Sequence, residues 1–244
     1  MAEAAAVEVR RQDDFDLYRP GSAAGPLPTV VLVHGPAPAG MQPRESPLFA
    51  GYATLLAGSG VAAAVVGVRY QGLDGWPPGT VWPPNADFTA TAHWLEGVVH
   101  RIREAPASDR DRLAVWAFSG GGMLTGGWLA ESPPWLRCVA LTYPVLADQN
   151  PGSNTPAPCD LVRPGRPIVL TRVGREQPEF QATVDRFQAR AAAAGAAVEV
   201  IDVPDGEHGF DAFVPALDSC PPVLSAVSSV TKHLAAEPGS EAPR

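Results

Sequence analysis

The chain contains, at residues 113–124, the stretch Leu113-Ala-Val-Trp-Ala-Phe-Ser-Gly-Gly-Gly-Met-Leu124. An apolar run that breaks at a serine and three glycines predicts a buried strand, a tight turn and the start of a helix. A serine on such a turn exposes its hydroxyl, which is the layout of a nucleophile elbow. Ala117 replaces the first glycine of the usual G-x-S-x-G pattern, and alanine is still small enough for strand and helix to approach closely. The stretch is also compatible with a glycine-rich connection whose serine caps a helix.

Apolar runs and amphipathic segments alternate on both sides of this stretch. Thr29–Val33 and Leu136–Thr142 are continuous apolar runs that predict strands buried on both faces. Residues 86–104 and 178–194 carry apolar stripes with helical spacing, and residues 4–18 predict an antiparallel hairpin at a sheet edge. This order predicts a three-layer α/β fold, with a mostly parallel sheet of seven or eight strands and helices on both faces.

The length and the connections favour a single domain over residues 1–244. At 244 residues and 45% hydrophobic content, the chain can bury one substantial core. The loop at 143–167 is too short to form a large helical cap domain, and residues 237–244 are predicted to be a frayed tail.

The composition narrows the class of partner. Eighteen Lys and Arg residues against 26 Asp and Glu residues give a net charge of −8, which argues against nucleic acid and anionic membranes as partners. The acidic N-terminus lacks the apolar core of a signal peptide, and no apolar stretch is long enough to span a membrane. We therefore expect a cytoplasmic protein, monomeric or homodimeric, with a small-molecule substrate.

The cysteines and histidines do not form a recognisable metal or disulfide pattern. Cys138 lies in an apolar run and is predicted to be a buried thiol. Cys159 and Cys220 lie in proline-rich loops that could approach each other. A disulfide is not expected between them, because we expect an intracellular protein. His93 and His100 share a helix face without metal-ligand spacing, so no metal site is predicted.

Residues with useful chemistry follow several predicted strands. Ser119 needs a base, and His208 follows the last strand between two glycines. Glu176 follows the preceding strand and can orient the histidine, and the chain order Ser119, Glu176, His208 is that of elbow-type hydrolases. Asp148 is the rival acid. Glu176 could instead be a surface charge paired with a nearby arginine, and His208 could be an ordinary loop histidine.

With these motifs, the chain resembles the α/β-hydrolase superfamily over nearly its whole length, and especially the dienelactone-hydrolase-like serine esterases. The resemblance rests on His34-Gly35, the Phe118-Ser119-Gly120-Gly121 elbow, Val173-Gly174-Arg175-Glu176 and Gly206-Glu207-His208-Gly209-Phe210. It implies an α/β-hydrolase fold and a Ser119–His208–Glu176 triad, and no metal or organic cofactor. The dienelactone hydrolases themselves use a cysteine nucleophile where this chain has Ser119, so their substrate does not transfer.

The predicted oxyanion hole lies where the elbow faces the His34-Gly35 loop. The N–H group of Gly120 is one expected donor. Pro36 has no N–H group, so the second donor shifts to Ala37 or Gly35, and we predict Ala37. His34 is predicted to hold this loop through hydrogen bonds.

Aromatic residues on loops and strand ends are candidates for an apolar substrate pocket, although they could equally pack the loops. They are Trp76, Trp82, Phe118, Tyr143 and Phe210. The leading hypothesis is hydrolysis of small carboxylic esters through an acyl-enzyme. A thioesterase, acyltransferase or cyclase could use the same three residues, and a non-catalytic ligand-binding homologue is the third possibility.

Overall fold

One eight-stranded sheet runs through the part of the chain that the computed structural model describes, which is residues 6–37, 41–73, 76, 80, 82–150, 153 and 155–236. The predicted tail at 237–244 lies outside these residues. The strands are β1 (Val7–Arg11), β2 (Phe15–Pro20), β3 (Leu27–Val33), β4 (Ala62–Val66), β5 (Ser108–Phe118), β6 (Leu136–Thr142), β7 (Ile168–Arg175) and β8 (Val198–Glu207).

Six α-helices connect or follow these strands within the described residues. They are α1 (Pro47–Gly58), α2 (Phe88–Glu104), α3 (Gly126–Glu131), α4 (Pro158–Leu161), α5 (Pro178–Ala194) and α6 (Pro221–Ala235). Short 3-10 helices at Ser119–Thr125 and Phe210–Phe213 lie at the ends of β5 and β8, where the predicted nucleophile and base are found.

The strands are ordered β1-β2-β4-β3-β5-β6-β7-β8 across the sheet. β1 and β2 form an antiparallel hairpin, β2 pairs antiparallel with β4, and every other neighbouring pair is parallel. The parallel strands therefore end at one edge, where ligands bind in open α/β sheets.

Two apolar clusters cover the two faces of the sheet. Side chains of α2, α3 and α5 pack on one face, and side chains of α1 and α6 pack on the other. The strands between them are apolar on both faces because both faces are covered. The predicted three-layer α/β class with a mostly parallel sheet is confirmed. No helix of the described residues is long and apolar enough to cross a membrane.

The observed elements differ from the prediction mainly around glycines. The sequence predicts one helix from Gly120 to Glu131, but a 3-10 helix runs from Ser119 to Thr125 before α3 begins at Gly126. Consecutive glycines favour helix weakly, and these also lie against neighbouring backbone. The apolar run that begins at Val61 predicts a strand as far as Tyr70, but β4 ends at Val66, and residues 67–70 turn to cover His34.

Candidate active site

Ser119 lies at the sharp turn between β5 and the 3-10 helix. Its φ of 53° is in the left-handed region, which a residue other than glycine rarely occupies. Strain of this kind persists only where the surroundings enforce it. Here the carbonyl of Ser119 accepts a hydrogen bond of 3.0 Å from the N–H of Val145. The turn therefore holds the serine hydroxyl beyond the end of the strand.

The glycines after Ser119 allow backbone to approach from two sides. A Cβ atom on Gly121 would lie 2.7 Å from the carbonyl oxygen of Val33, and one on Gly122 would lie 2.7 Å from that of Val145. Contacts this short exclude any side chain at the two positions. The elbow is thus wedged between the end of β3 and the loop after β6.

The hydroxyl of Ser119 donates a hydrogen bond of 2.7 Å to Nε2 of His208. His208 follows β8 directly, and its Nδ1 donates a bond of 2.7 Å to Oε2 of Glu176 at the end of β7. An ionised carboxylate can only accept, so this bond selects the tautomer in which Nε2 is free to take a proton. The three residues form one hydrogen-bonded chain across the ends of β5, β7 and β8.

The carboxylate of Glu176 is enclosed, whereas the imidazole remains reachable. The side chain of Glu176 is 2% exposed and that of His208 is 22% exposed. The second oxygen of Glu176 accepts a bond of 2.8 Å from the N–H of Gln177. The nearby arginines have other partners: Arg172 pairs with Asp202 and Arg175 with Asp205. Glu176 is therefore not a surface charge paired with a nearby arginine, which was the alternative that the sequence left open.

The rival acid Asp148 has a different set of partners. Its carboxylate accepts bonds from the indole Nε1 of Trp82 at 2.8 Å, from Asn150 and from the hydroxyl of Ser153. Asn150 also donates to the carbonyl of Pro83. Asp148 thus fastens the loop that carries Trp82 to the loop after β6, while Glu176 holds His208.

The loop after β3 lies directly against the elbow. A Cβ atom on Gly35 would be 2.9 Å from the backbone nitrogen of Gly120, and one on Gly120 would be 2.6 Å from Cδ of Pro36. Both glycines are therefore needed for the approach of the two backbones. Ala37 follows Pro36 on this loop and is half-buried.

His34 holds the shape of this loop, as expected. Its Nε2 accepts a bond of 3.0 Å from the N–H of Val68, and its Nδ1 donates to the carbonyl of Gly35. The hydroxyl of Tyr70 donates to the carbonyl of His34. Burial lowers the pKa of His34 to about 4, so the ring stays neutral and can accept from Val68.

Trp82 lies against Gly120 of the elbow. Its ring atom Cζ3 would lie 3.3 Å from a Cβ atom on Gly120. The indole stacks on Phe88 at a centroid distance of 5.2 Å and meets the edge of Phe180 at 5.9 Å. Phe180 in turn contacts the imidazole of His208 at 5.3 Å. Trp82 and Phe180 therefore form an apolar wall from Gly120 to His208. The helical pattern of residues 178–194 places Phe180 on an apolar stripe but does not predict its contact with His208.

The other aromatic candidates take different positions. Phe118 is 1% exposed and packs in the core against Phe49 and Tyr52, so it does not line the site; its strand position alone could not show which way it points. Trp76 donates its indole N–H to the carbonyl of Thr80. Phe210 is half-buried beside Tyr143.

Tyr143 and Asp211 form a buried group behind His208. The ring of Tyr143 lies 4.9 Å from the imidazole, centroid to centroid, and its hydroxyl donates a bond of 2.7 Å to Asp211. Burial raises the pKa of the Asp211 carboxyl, although bonds from Tyr52 and Tyr143 act to lower it. Asp211 belongs to no recognisable motif, and its one signal in the sequence is that of a single acid within the apolar run Phe210-Asp-Ala-Phe-Val214.

The cysteines make none of the hydrogen bonds that join Ser119, His208 and Glu176. Cys138, Cys159 and Cys220 are free and buried, so the considered Cys159–Cys220 disulfide is not formed. Burial raises the pKa of the Cys138 thiol to about 12, which keeps it protonated and unreactive. Within the described ranges, no group of three or more His, Cys, Asp or Glu side chains could hold a metal ion.

Comparison with solved structures identifies the architecture. A structure described as "Putative Dienelactone Hydrolase" from Klebsiella pneumoniae superposes with a TM-score of 0.70 and 19% identity, covering 95% of this chain and all of the other. The chain has an α/β-hydrolase fold. A bacterial heroin esterase is similar to it with a TM-score of 0.67 and 19% identity, covering 94% of this chain and 85% of the esterase. In this α/β-hydrolase fold, Ser119 occupies the elbow at the end of β5.

Sequence similarity to known proteins is weaker. A protein of Escherichia coli (strain K12) described as "Putative carboxymethylenebutenolidase" is 28% identical over 144 residues. The match covers 53% of each chain, so this chain spans about half the length of the curated relative that it matches. No family model matches the chain.

Proposed function

We propose that the chain is a serine hydrolase that cleaves small carboxylic esters through an acyl-enzyme. The observation that carries the proposal is the continuous hydrogen-bonded chain Ser119–His208–Glu176, with both bonds at 2.7 Å. A nucleophile in contact with a base, and a base oriented by a buried acid, is the arrangement that activates a serine hydroxyl. The names of the structural neighbours and of the curated relative agree with ester hydrolysis.

The reaction follows from the placement of these groups. Ser119 Oγ attacks the acyl carbon while its proton passes to Nε2 of His208, and Glu176 stabilises the resulting imidazolium. The imidazolium gives the proton to the leaving alcohol, whose departure leaves an acyl-serine. Water then attacks the acyl carbon, again losing a proton to His208, and the acid leaves as Ser119 regains its hydrogen. We propose the N–H groups of Gly120 and Ala37 as donors to the oxyanion.

A fluorophosphonate probe tests this proposal directly, because it reacts only with an activated serine. We expect wild-type protein to incorporate one probe per chain, at Ser119, and to hydrolyse p-nitrophenyl acetate. The matched control is Ser59→Ala, which removes an exposed hydroxyl at the end of α1 and should label normally. Wild-type protein that takes no label and cleaves no activated ester would show that the proposal is wrong.

Gly35→Ala is expected to lower kcat by about 10²–10³-fold, the typical cost of losing one oxyanion donor. The new Cβ atom would lie 2.9 Å from the nitrogen of Gly120 and would therefore crowd the N–H group that we propose as an oxyanion donor. Steady-state hydrolysis of p-nitrophenyl acetate measures the effect. Gly25→Ala is the control, since a Cβ atom there meets nothing within 4 Å. Equal activities for the two variants would place the oxyanion elsewhere.

Trp82→Ala is expected to shift the acyl preference towards longer chains. The indole lies against Gly120 and Phe180, so its removal opens space beside the attacking serine. We expect the ratio of kcat/KM for octanoate over butyrate esters to rise by about tenfold or more, since a single methylene in a pocket is worth roughly 10–200-fold. Trp135→Ala is the control, because Trp135 precedes β6 at the opposite end of the sheet. An unchanged ratio would show that Trp82 does not line the site that binds the acyl chain.

A further inference from the structure

The carboxylate of Asp211 joins two distant parts of the molecule immediately behind His208. It lies in the 3-10 helix Phe210–Phe213 and is 2% exposed. Its Oδ1 accepts a bond of 2.7 Å from the hydroxyl of Tyr143, and its Oδ2 accepts one of 2.7 Å from the hydroxyl of Tyr52. A buried carboxylate needs such donors, and hydrogen bonds to a charged acceptor are stronger than neutral ones.

The two tyrosines have different neighbours. Tyr52 belongs to α1, and its ring packs on the core rings of Trp116 at 5.2 Å and Phe118 at 4.9 Å. Tyr143 follows β6, and its ring meets the imidazole of His208 at 4.9 Å, with an angle of 57° between the planes. One tyrosine therefore ties Asp211 to the core, while the other ties it to the base.

The backbone of Tyr143 also indicates an enforced position. Its φ of 36° lies in the left-handed region, which is unfavourable for a bulky residue. Its N–H donates a bond of 2.8 Å to the carbonyl of Thr171, so main chain and hydroxyl are held at opposite ends of the residue. A ring fixed in this way limits the motion of the imidazole that it contacts.

We propose that Asp211 is a positioning residue, which holds the ring of Tyr143 against His208 and so keeps the imidazole in line between Ser119 and Glu176. The inference rests on the proposed function for its catalytic consequence. His208 must keep this alignment while it takes the proton of Ser119 and returns it to the leaving alcohol. Phe180 contacts the imidazole at 5.3 Å, so Tyr143 and Phe180 together confine it. Asp211 touches neither substrate nor reacting atoms in this scheme.

The two tyrosines supply a matched pair of variants. Tyr143→Phe and Tyr52→Phe each remove one buried hydroxyl from the same carboxylate, but only Tyr143 contacts His208. We expect Tyr143→Phe to lower kcat on the order of tenfold with KM changed less than about twofold, because a small misplacement of a reacting group is costly. Tyr52→Phe should lower the melting temperature at least as much as Tyr143→Phe does, but it should change kcat by less than about twofold.

Asp211→Asn tests whether Asp211 acts on His208 through Tyr143. We expect it to lower kcat as much as Tyr143→Phe does, and the double variant Asp211→Asn/Tyr143→Phe to be no slower than the slower single variant. If both tyrosine variants lower kcat equally, or if the losses of Asp211→Asn and Tyr143→Phe multiply, Asp211 has only a structural role.

Proton NMR of the Nδ1–H of His208 separates failure of this inference from failure of the proposed function, since it needs no turnover. We expect a downfield resonance from the bond to Glu176 in the wild type and in Tyr52→Phe, and its broadening or loss in Tyr143→Phe. If this contrast is seen in a protein that hydrolyses no ester, the positioning role stands and the proposed function fails. If the wild type labels with fluorophosphonate but both tyrosine variants retain the same resonance, the positioning role is overturned.

Discussion

Ser119→Ala is expected to lower kcat for ester hydrolysis on the order of 10⁴- to 10⁶-fold, and His208→Ala should do the same. The two side chains share one hydrogen bond of 2.7 Å, and in the proposed mechanism they act in one proton transfer. The double variant should therefore be no slower than either single one, because neither residue can work without the other. The small activity that remains would come from substrate binding and the oxyanion donors.

Active-site titration and steady-state rates on p-nitrophenyl acetate measure this effect, and thermal melting shows that the variants remain folded. Ser59→Ala is again the matched serine control. If the losses of Ser119→Ala and His208→Ala multiply in the double variant, the two residues act separately and the acyl-enzyme scheme is wrong. A Ser119→Ala variant that keeps wild-type kcat would exclude serine as the nucleophile.

Glu176→Gln is expected to lower kcat by about 10⁴-fold with little change in fold. The glutamine keeps the shape of the side chain, but its amide N–H₂ can face Nδ1 of His208, where Oε2 of Glu176 now accepts a bond of 2.7 Å. The imidazole then accepts at Nδ1 and carries its proton at Nε2, so it cannot take a proton from Ser119. The loss is thus a loss of the correct tautomer and of charge stabilisation for the imidazolium.

Two variants make this result specific. Asp148→Asn alters the rival acid, which holds Trp82, and should change kcat by less than about tenfold while altering acyl preference. Glu179→Gln makes the same chemical change at an exposed residue of α5 and should behave as the wild type. Activity that survives Glu176→Gln and is lost in Asp148→Asn would assign the acid to Asp148.

The fold could be predicted where the spacing of apolar residues was regular and where a glycine or proline marked the end of the element. The bounds of β6 and α5 agree with the prediction at every residue, because an uninterrupted apolar run and a stripe closed by Gly195 leave few alternatives. The 3-10 helix after Ser119 could not be predicted, since its form depends on contacts of Gly121 and Gly122 with backbone that is distant in sequence. Local propensity carries no information about such contacts.

In the candidate site, too, some residues could be placed from the sequence and others only from the packed structure. Ser119, Glu176 and His208 could be placed together because each follows a parallel strand, and parallel strands end at one edge. The wall residue Phe180, the inward position of Phe118 and the carboxylate of Asp211 depend on side-chain directions that only the packed structure fixes. A periodic pattern assigns a residue to a face and does not identify its partner.

The Ser119–His208–Glu176 chain is carried by strand ends of one sheet, whereas Trp82 is carried by a loop that Asp148 and Asn150 fasten from outside. In the proposed hydrolase, the residues for catalysis and the residue for acyl selectivity therefore lie on separate elements and can be changed independently. We expect substitutions in the Trp82 loop to change substrate preference without disturbing the proposed proton transfer, whereas the close backbone contacts of Gly121 and Gly122 leave no room for side chains in the elbow. A library for directed evolution should diversify the residues around this fastening and leave the strand ends fixed.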